Sequence, residues 1–378
     1  MKKNTLLILL TAVILVLNQP AALFAASDDS LHCRRAKAAH EIVAIQSALG
    51  KSQSPQDSLQ HSPQNPSQDS LRDSTQASLQ NALSKASGFI KRAVPAPQYG
   101  SIGGEWTIIG LARSDESVSA DYYNNYYTLA ENHVKECNGL LSKTKNTEYS
   151  RLATALTAIG KDPQNVAGYS LLLPLGDYET TVLQGINGPV WALIALDCGN
   201  YSIPENKSAK VRATRTMYVD YILERRLDNG GWNLTSKDGS GEADPDVTAM
   251  SLQALAKYTE RKDVSEAVGI ALSRLSELQG ENGGYSSWGT ENSESTAQVL
   301  VALCELGIDI NDKRFVKNGK TLLDSLLEYQ TADGGFRHAK SDTEANLMAS
   351  EQCLYALAAA MRAQSGKSSL YRMNDITL

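Results

Sequence analysis

Asn229-Gly230-Gly231-Trp232, Asn282-Gly283-Gly284-Tyr285 and Asp333-Gly334-Gly335-Phe336 are three copies of one phrase: a polar residue, a glycine pair and an aromatic. Each follows an amphipathic stretch and precedes a run of small apolar residues. The second glycines lie 53 and then 51 residues apart. A period of about fifty residues describes a two-element unit stacked on copies of itself. Glycine permits the left-handed turn that stops a helix. Each phrase is therefore read first as punctuation, with the aromatic packing back on the neighbouring turn.

Working outward, six stretches have small apolar residues on nearly every face: 105–114, 148–160, 188–199, 246–258, 294–307 and 350–361. Their equivalent leucines are Leu111, Leu156, Leu196, Leu255, Leu303 and Leu357. A helix apolar all round must be buried all round. Between them lie helices with one apolar stripe. Residues 263–279 place Val264, Val268, Ala271, Leu272, Leu275 and Leu278 on one face, and 313–330 do so with Phe315, Val316, Leu322, Leu323, Leu326 and Leu327. Residues 122–141 and 212–227 are weaker examples. Six buried helices alternating with six half-buried ones predict an all-α fold, an α6/α6 toroid in which an inner ring is covered by an outer one. Closure removes the exposed end repeats that an open solenoid must cap. An open superhelix of helical hairpins is the alternative.

The chain has 378 residues, 42% hydrophobic and 21% charged, with a formal charge of −6. No basic patch stands out, which argues against a nucleic-acid partner. Lys2 and Lys3, a twelve-residue apolar run over 6–17 and small residues up to Ala26 read as a secretory signal peptide, 1–26. The run is too short to span a bilayer, so no transmembrane anchor is expected after cleavage. Residues 27–50 form a short segment with helical potential. Residues 51–80 are rich in Ser, Gln, Pro and Asp and are read as a disordered spacer. The toroid is expected over 81–362 and a tail over 363–378. The five cysteines form no complete disulfide framework. Cys304 and Cys353 sit in apolar runs as small hydrophobes.

In such a ring the inner helices run the same way, so their N-termini meet at one mouth. Free amides and helix dipoles make that mouth attractive to anions and hydrogen-bond acceptors. The candidate ligand-binding residues there are Glu105, Trp106, Tyr149, Gln184, Asn187, Trp191, Asp246, Tyr285, Trp288, Glu294, Gln298 and Gln352; Glu351 belongs to the same rim. Capping alone accounts for many polar residues at such positions. Asp244-Pro245-Asp246 is the sharpest motif. Either aspartate can cap the helix; functionally, Asp246 with Asp244 would be a carboxylic acid kept protonated by a second carboxylate and burial. The stretch 238–244 spaces oxygen ligands two apart, but lacks the twelfth-position acid of a calcium loop, so calcium is disfavoured. His133 and Cys137 are spaced i, i+4 with no further ligand in view, so no metal is assigned. With His32, His40 and His61 outside the globular part, a histidine-based triad has little support.

These motifs resemble the terpenoid cyclase and protein prenyltransferase superfamily of α/α toroids over about residues 82–362. The resemblance rests on the repeated glycine–glycine–aromatic units and on Asp246-Val247-Thr248-Ala249, which looks like the acid motif of squalene-type cyclases. The segments GSIGGEWTIIGLARS, TALTAIGKDP, DPDVTAMSLQALAKY and ESTAQVLVALCELGID look closest to secreted bacterial members of this group. These are similar to the ring domain of the cobalamin-binding proteins intrinsic factor and transcobalamin. The resemblance implies the ring; it does not by itself imply a reaction. The cyclase motif ends in two adjacent acids, and here the last is Val247. With 6% aromatic residues, cation–π stabilisation of a carbocation would be thin. The zinc set of the prenyltransferases is absent. Where complement-like rings carry Cys-Gly-Glu-Gln, this chain reads Gly103-Gly104-Glu105-Trp106, so no thioester can form.

The first functional expectation is a secreted or surface protein that binds a polar-aromatic ligand without catalysis, a corrinoid-like molecule being what the resemblance implies, or that contacts a cell-envelope component. The alternative is an enzyme: cyclase-like chemistry with Asp246 as general acid, or polysaccharide cleavage by the acids of the mouth.

Overall fold

The computed structural model describes residues 68–378. The segments expected as signal peptide (1–26), short helix (27–50) and the first part of the spacer (51–67) lie outside the described residues. Twelve α-helices occur among those described. The odd-numbered ones are α1 (Gln68–Ala93), α3 (Ala120–Glu136), α5 (Tyr178–Val182), α7 (Arg215–Glu224), α9 (Lys262–Leu278) and α11 (Leu322–Leu327). The even-numbered ones are α2 (Trp106–Arg113), α4 (Asn146–Ala158), α6 (Asn187–Cys198), α8 (Pro245–Leu255), α10 (Ser293–Glu305) and α12 (Leu347–Gln364).

The even helices form the inner ring. Each packs on the next, from α2 through α4, α6, α8 and α10 to α12, and α12 packs back on α2. That last contact closes the circle and decides for the toroid over an open superhelix. The odd helices lie outside: α1 covers α12, α7 covers α6, α9 covers α8 and α11 covers α10. Leu111, Leu156, Leu196, Leu255, Leu303 and Leu357, the equivalent leucines of the repeat, are all buried in one continuous core. Small residues such as Ala297, Ala302, Ala356 and Ala359 let neighbouring inner helices approach closely, and all four are fully buried.

The glycine phrases join the two rings by one repeated device. The backbone N–H of Trp232 donates to Thr248 Oγ1 (2.9 Å), that of Tyr285 to Thr296 Oγ1 (3.2 Å) and that of Phe336 to Ser350 Oγ (2.7 Å). Each acceptor lies four residues after the N-cap of an inner helix, Asp244, Asn292 or Asn346. Two of the aromatic tips reach back: Trp232 Nε1 donates to the Ile222 carbonyl and Tyr285 Oη to that of Leu275, satisfying acceptors at the ends of α7 and α9. The second glycine lets the strands of this knot approach. A Cβ at Gly231, where φ is +77°, would stand 2.7 Å from Thr248 Oγ1 and 2.9 Å from Ala243 Cβ. Gly231→Ala is therefore expected to cost about 1–3 kcal/mol, measured by urea unfolding. A loss below about 0.5 kcal/mol, the noise of a neutral surface change, would show that the close approach does not matter.

Three elements differ from the sequence expectation. Residues 68–80, expected within the spacer, form the first half of α1; Leu79, Ala82, Leu83, Ala86 and Ile90 then make its buried stripe against α12. The stretch 313–330 is not one helix. Lys313–Phe315 is a short 3-10 turn, Asn318 and Gly319 take φ of +50° and +79° in a tight turn, and α11 starts afresh behind a Thr321–Asp324 capping box. Asn-Gly is a strong turn signal that outweighs the apolar spacing around it. A short hairpin, β1 (Tyr285–Ser287) and β2 (Thr290–Asn292), leads into α10.

The segment after α12 closes the far end of the ring. Leu370, Tyr371 and Met373 are buried, and the Met373 N–H donates to the Cys198 carbonyl. Arg113 and Arg362, from α2 and α12, share the Asp375 carboxylate; Glu305 of α10 accepts from the Tyr371 N–H and the Ser369 hydroxyl. No helix among the described residues is long and apolar enough to cross a membrane.

Candidate functional site

The N-termini of the inner helices meet at one end of the ring, and contacts between successive helices establish this. Glu351 in the second turn of α12 accepts from the Gly103 N–H (2.9 Å) and the Thr107 hydroxyl at the start of α2. Arg151 of α4 reaches Glu105 just before α2 (2.9 Å). Ser287, before α10, donates to Asp244 Oδ2 at the start of α8 (2.7 Å). Glu294 of α10 is 2.9 Å from Nδ1 of His338, which lies before α12.

Of the two aspartates, Asp244 is the N-cap: its Oδ1 accepts from the Asp246 and Val247 amides at 2.9 and 3.0 Å. Asp246 caps nothing. It is half-buried, and its Oδ1 is out of solvent with no hydrogen-bond partner. Burial first, then the neighbouring Asp244 and Glu294 carboxylates, push its pKa up to about 7, although the Ser295 and Ser287 hydroxyls act the other way. Glu294 has the opposite surroundings. Both its oxygens lie 2.9 Å from His338 Nδ1, and Oε2 also accepts from Ser293 Oγ (3.1 Å). The hydrogen bond to Glu294 raises the His338 pKa above its usual value. Two carboxyls on adjacent inner helices therefore sit in unlike surroundings: Asp246 has a buried oxygen without a partner, and Glu294 is held by His338. Glu351 is a third acid, fully buried, with Oε2 unpaired and a pKa that burial pushes up to about 7.

The floor of the mouth is aromatic and amide. Trp106 and Trp191 project from non-adjacent helices, α2 and α6, and meet across the axis with ring centroids 5.1 Å apart. Tyr355 lies 5.9 Å from Trp106. Tyr371, from the C-terminal segment, abuts Trp191 edge-on at 6.1 Å. Beside these rings runs a ladder of amides: Gln253 Nε2 donates to Gln298 Oε1 (3.0 Å), and Gln298 Nε2 to Gln352 Oε1 (3.1 Å) and Tyr355 Oη (2.5 Å). Aromatic faces with a few convergent polar groups are the make-up of a small-molecule or sugar site.

Not every residue expected at the mouth faces it. Trp106, Trp191, Gln298 and Gln352 are linked through Tyr355, and Asp246 and Glu294 lie within electrostatic reach of each other. Asn187 is half-buried in the first turn of α6. Gln184 caps α4 instead, its Oε1 accepting from the Thr147 N–H (3.0 Å). Glu105 is wholly buried, bound to Arg151, the Gly100 N–H and the Tyr126 hydroxyl. Tyr149 and Tyr285 are buried, with their hydroxyls turned to backbone carbonyls of Ser142 and Leu275. Trp288 stands on the hairpin tip, 81% exposed. His133 stacks on Tyr99 at 3.9 Å, and Asp238 binds the backbone and hydroxyl of Ser240. The role of His338 had no sequence signal: it lies 44 residues beyond Glu294 in an irregular loop.

Two clefts of about 350 and 370 Å³ lie at the opposite end, under the C-terminal segment. In the first, Asp197 is paired with Arg215 and Lys257 and accepts from the Tyr258 hydroxyl. No unpaired acid or base lines either cleft in the way Asp246 lines the mouth.

No protein-family profile and no curated protein matches the chain. Among solved structures it is similar to one described as a wild-type glycosidase, at 12% identity and a TM-score of 0.47, covering 77% of this chain and 98% of that one. It is also similar to the unsaturated glucuronyl hydrolase of Bacillus sp. GL1, described as responsible for degradation of glycosaminoglycan: 13% identity, TM-score 0.46, 78% of this chain and 99% of that one. Likeness at this level concerns the helical ring; the site is read from this chain's own residues.

Proposed function

We propose that this protein hydrolyses a glycosidic bond at the mouth of its ring. The observation that carries the reading is the pair of acids in unlike surroundings, Asp246 with Oδ1 buried and without a partner and Glu294 fixed by His338, beside an aromatic and amide floor. Asp246 would give its proton to the glycosidic oxygen as the bond to the anomeric carbon breaks. Glu294 would take a proton from the water whose oxygen adds to that carbon. Two carboxyls held in different protonation states are what acid–base glycoside hydrolysis requires. Trp106 and Trp191 suit the apolar C–H face of a sugar ring, and the Gln298 and Gln352 amides suit its hydroxyls.

The cyclase alternative asks for a deep apolar cavity beneath the acid, whereas amides line the axis here. A corrinoid needs a broad open ring face, whereas Trp106, Trp191 and Tyr371 crowd together inside the ring. An export leader over 1–26 would place the reaction outside the cytoplasm.

The test is the release of new reducing ends from a panel of neutral oligosaccharides. Because Asp246 must be protonated, kcat/KM is expected to hold below its pKa of about 7 and to fall about tenfold per pH unit above it. Binding of a glycan with no new reducing ends would make the protein a carbohydrate-binding module. Neither binding nor cleavage would end the reading.

A further inference from the structure

Trp288 is the large hydrophobic residue most exposed among those described, at 81%. It has no aromatic or cationic ring partner among the described residues. It also occupies an unfavourable backbone conformation. Trp288 and Gly289 form the two-residue loop of the β1–β2 hairpin with φ of +51° and +81°. Such a loop favours Asn at its first position, and a bulky side chain there is strained. An indole at this place contributes nothing to the core and works against the turn. Strain of this kind that stability does not explain points to function.

The hairpin is anchored to the acids. Ser287, one residue before the indole, donates to Asp244 Oδ2 at 2.7 Å. Strand β2 runs directly into the N-cap Asn292 of α10, two residues before Glu294. The hairpin thus holds a flat apolar surface beside the starts of α8 and α10, which carry Asp246 and Glu294. The charge of the rim narrows the ligand. Asp246 and Glu351 carry no cation. The cations packed against these acids are already engaged: Arg151 with Glu105 and Glu148, His338 with Glu294, Lys340 with Glu291 and Glu328. The carboxylates beside the bond, Asp244 and Glu294, would repel a uronate carboxylate.

Resting on the proposed glycoside chemistry, we infer that Trp288 is the stacking platform for a further sugar ring of an uncharged or amino glycan chain whose bond to be cleaved lies at Asp246 and Glu294. Stacking of a pyranose C–H face on an exposed indole contributes to longer chains and little to short ones, so the signature is chain-length dependence.

The test uses cello- and chito-oligosaccharides of two and six sugars, titrated calorimetrically into the full chain and into Trp288→Asn. Asn suits the turn, so the melting temperature is expected to stay equal or rise. The ratio of hexamer to dimer affinity is expected to fall about 3–10-fold, the size of one aromatic contact. An unchanged ratio overturns the platform and leaves the hydrolase reading standing. A glucuronate oligomer bound more tightly than the neutral hexamer overturns the charge assignment. If the unaltered chain neither binds nor cleaves any of these glycans, the hydrolase reading fails, and the platform with it.

Discussion

Replacing Asp246 by Asn is expected to lower kcat on a cleaved glycan by about 10²–10⁴-fold and to make the protein more stable at pH 8. The two effects have one cause. The Asp246 carboxyl is buried beside Asp244 and Glu294, so its pKa in the folded chain is about 7, well above the usual value of about 3.9. The folded state therefore binds more protons than the unfolded one between about pH 4 and pH 7. The stability tied to this proton is fully present below pH 4 and is lost as pH rises through 7. At pH 8 the ionised form carries a penalty that an amide does not, and Asn should gain about 1–3 kcal/mol there. At pH 4 the variant and the parent should differ little. Urea unfolding at the two pH values, with reducing-end assays, measures both. A variant that loses stability and turnover in parallel would show Asp246 to be a structural residue only.

The largest expected loss of stability comes from the other end of the ring. Asp375→Ala should cost about 3–5 kcal/mol. Arg113 and Arg362 are 1% and 2% exposed, and the Asp375 carboxylate binds both. Burial pushes the Asp375 carboxyl up, but the Arg113 and Arg362 charges more than reverse this and hold its pKa below the usual range. Burial and the facing Arg362 charge lower the Arg113 pKa, the mark of two guanidiniums that need the acid between them. Without it, Arg362 keeps only Asp115, at 3.6 Å, and Arg113 loses its one carboxylate partner within ion-pair distance. With the folded pKa depressed, this stability is present above about pH 4 and is lost as pH falls through the folded value. The same change should weaken glycan binding, because the segment it anchors presents Tyr371 to the underside of Trp191. Denaturation at pH 7 reads the effect. A cost below about 1 kcal/mol would mean that water reaches the guanidiniums and that the segment is not a closure.

The inner ring was legible because burial on every side removes the usual polar face. The runs around Leu156, Leu196 and Leu303 could be nothing but central helices. The glycine phrases were legible because closely approaching backbones leave no room for a Cβ. The outer layer was harder. Among the α1 side chains whose burial is described, the stripe begins at Leu79, and the polar sequence before it resembled a spacer. At Asn318-Gly319 a local turn preference cut a plausible helix in two. In the site, a polar residue at a helix start reads the same whether it caps or faces a ligand. Glu105 and Gln184 turned inward to bind Arg151 and an α4 amide, whereas Asp246 was left unpaired because Asp244 had taken the capping role.

By itself, then, the sequence determined the ring: periodicity and small residues dictate which helices are buried, and local glycine geometry dictates where they end. Only the tertiary structure decided the chemistry. The pairing of Glu294 with His338 and the contact of Tyr371 with Trp191 depend on side chains brought together across 44 or more residues of chain. A carboxyl's proton affinity is set by the dielectric and charges around it, and those exist only once the ring has closed.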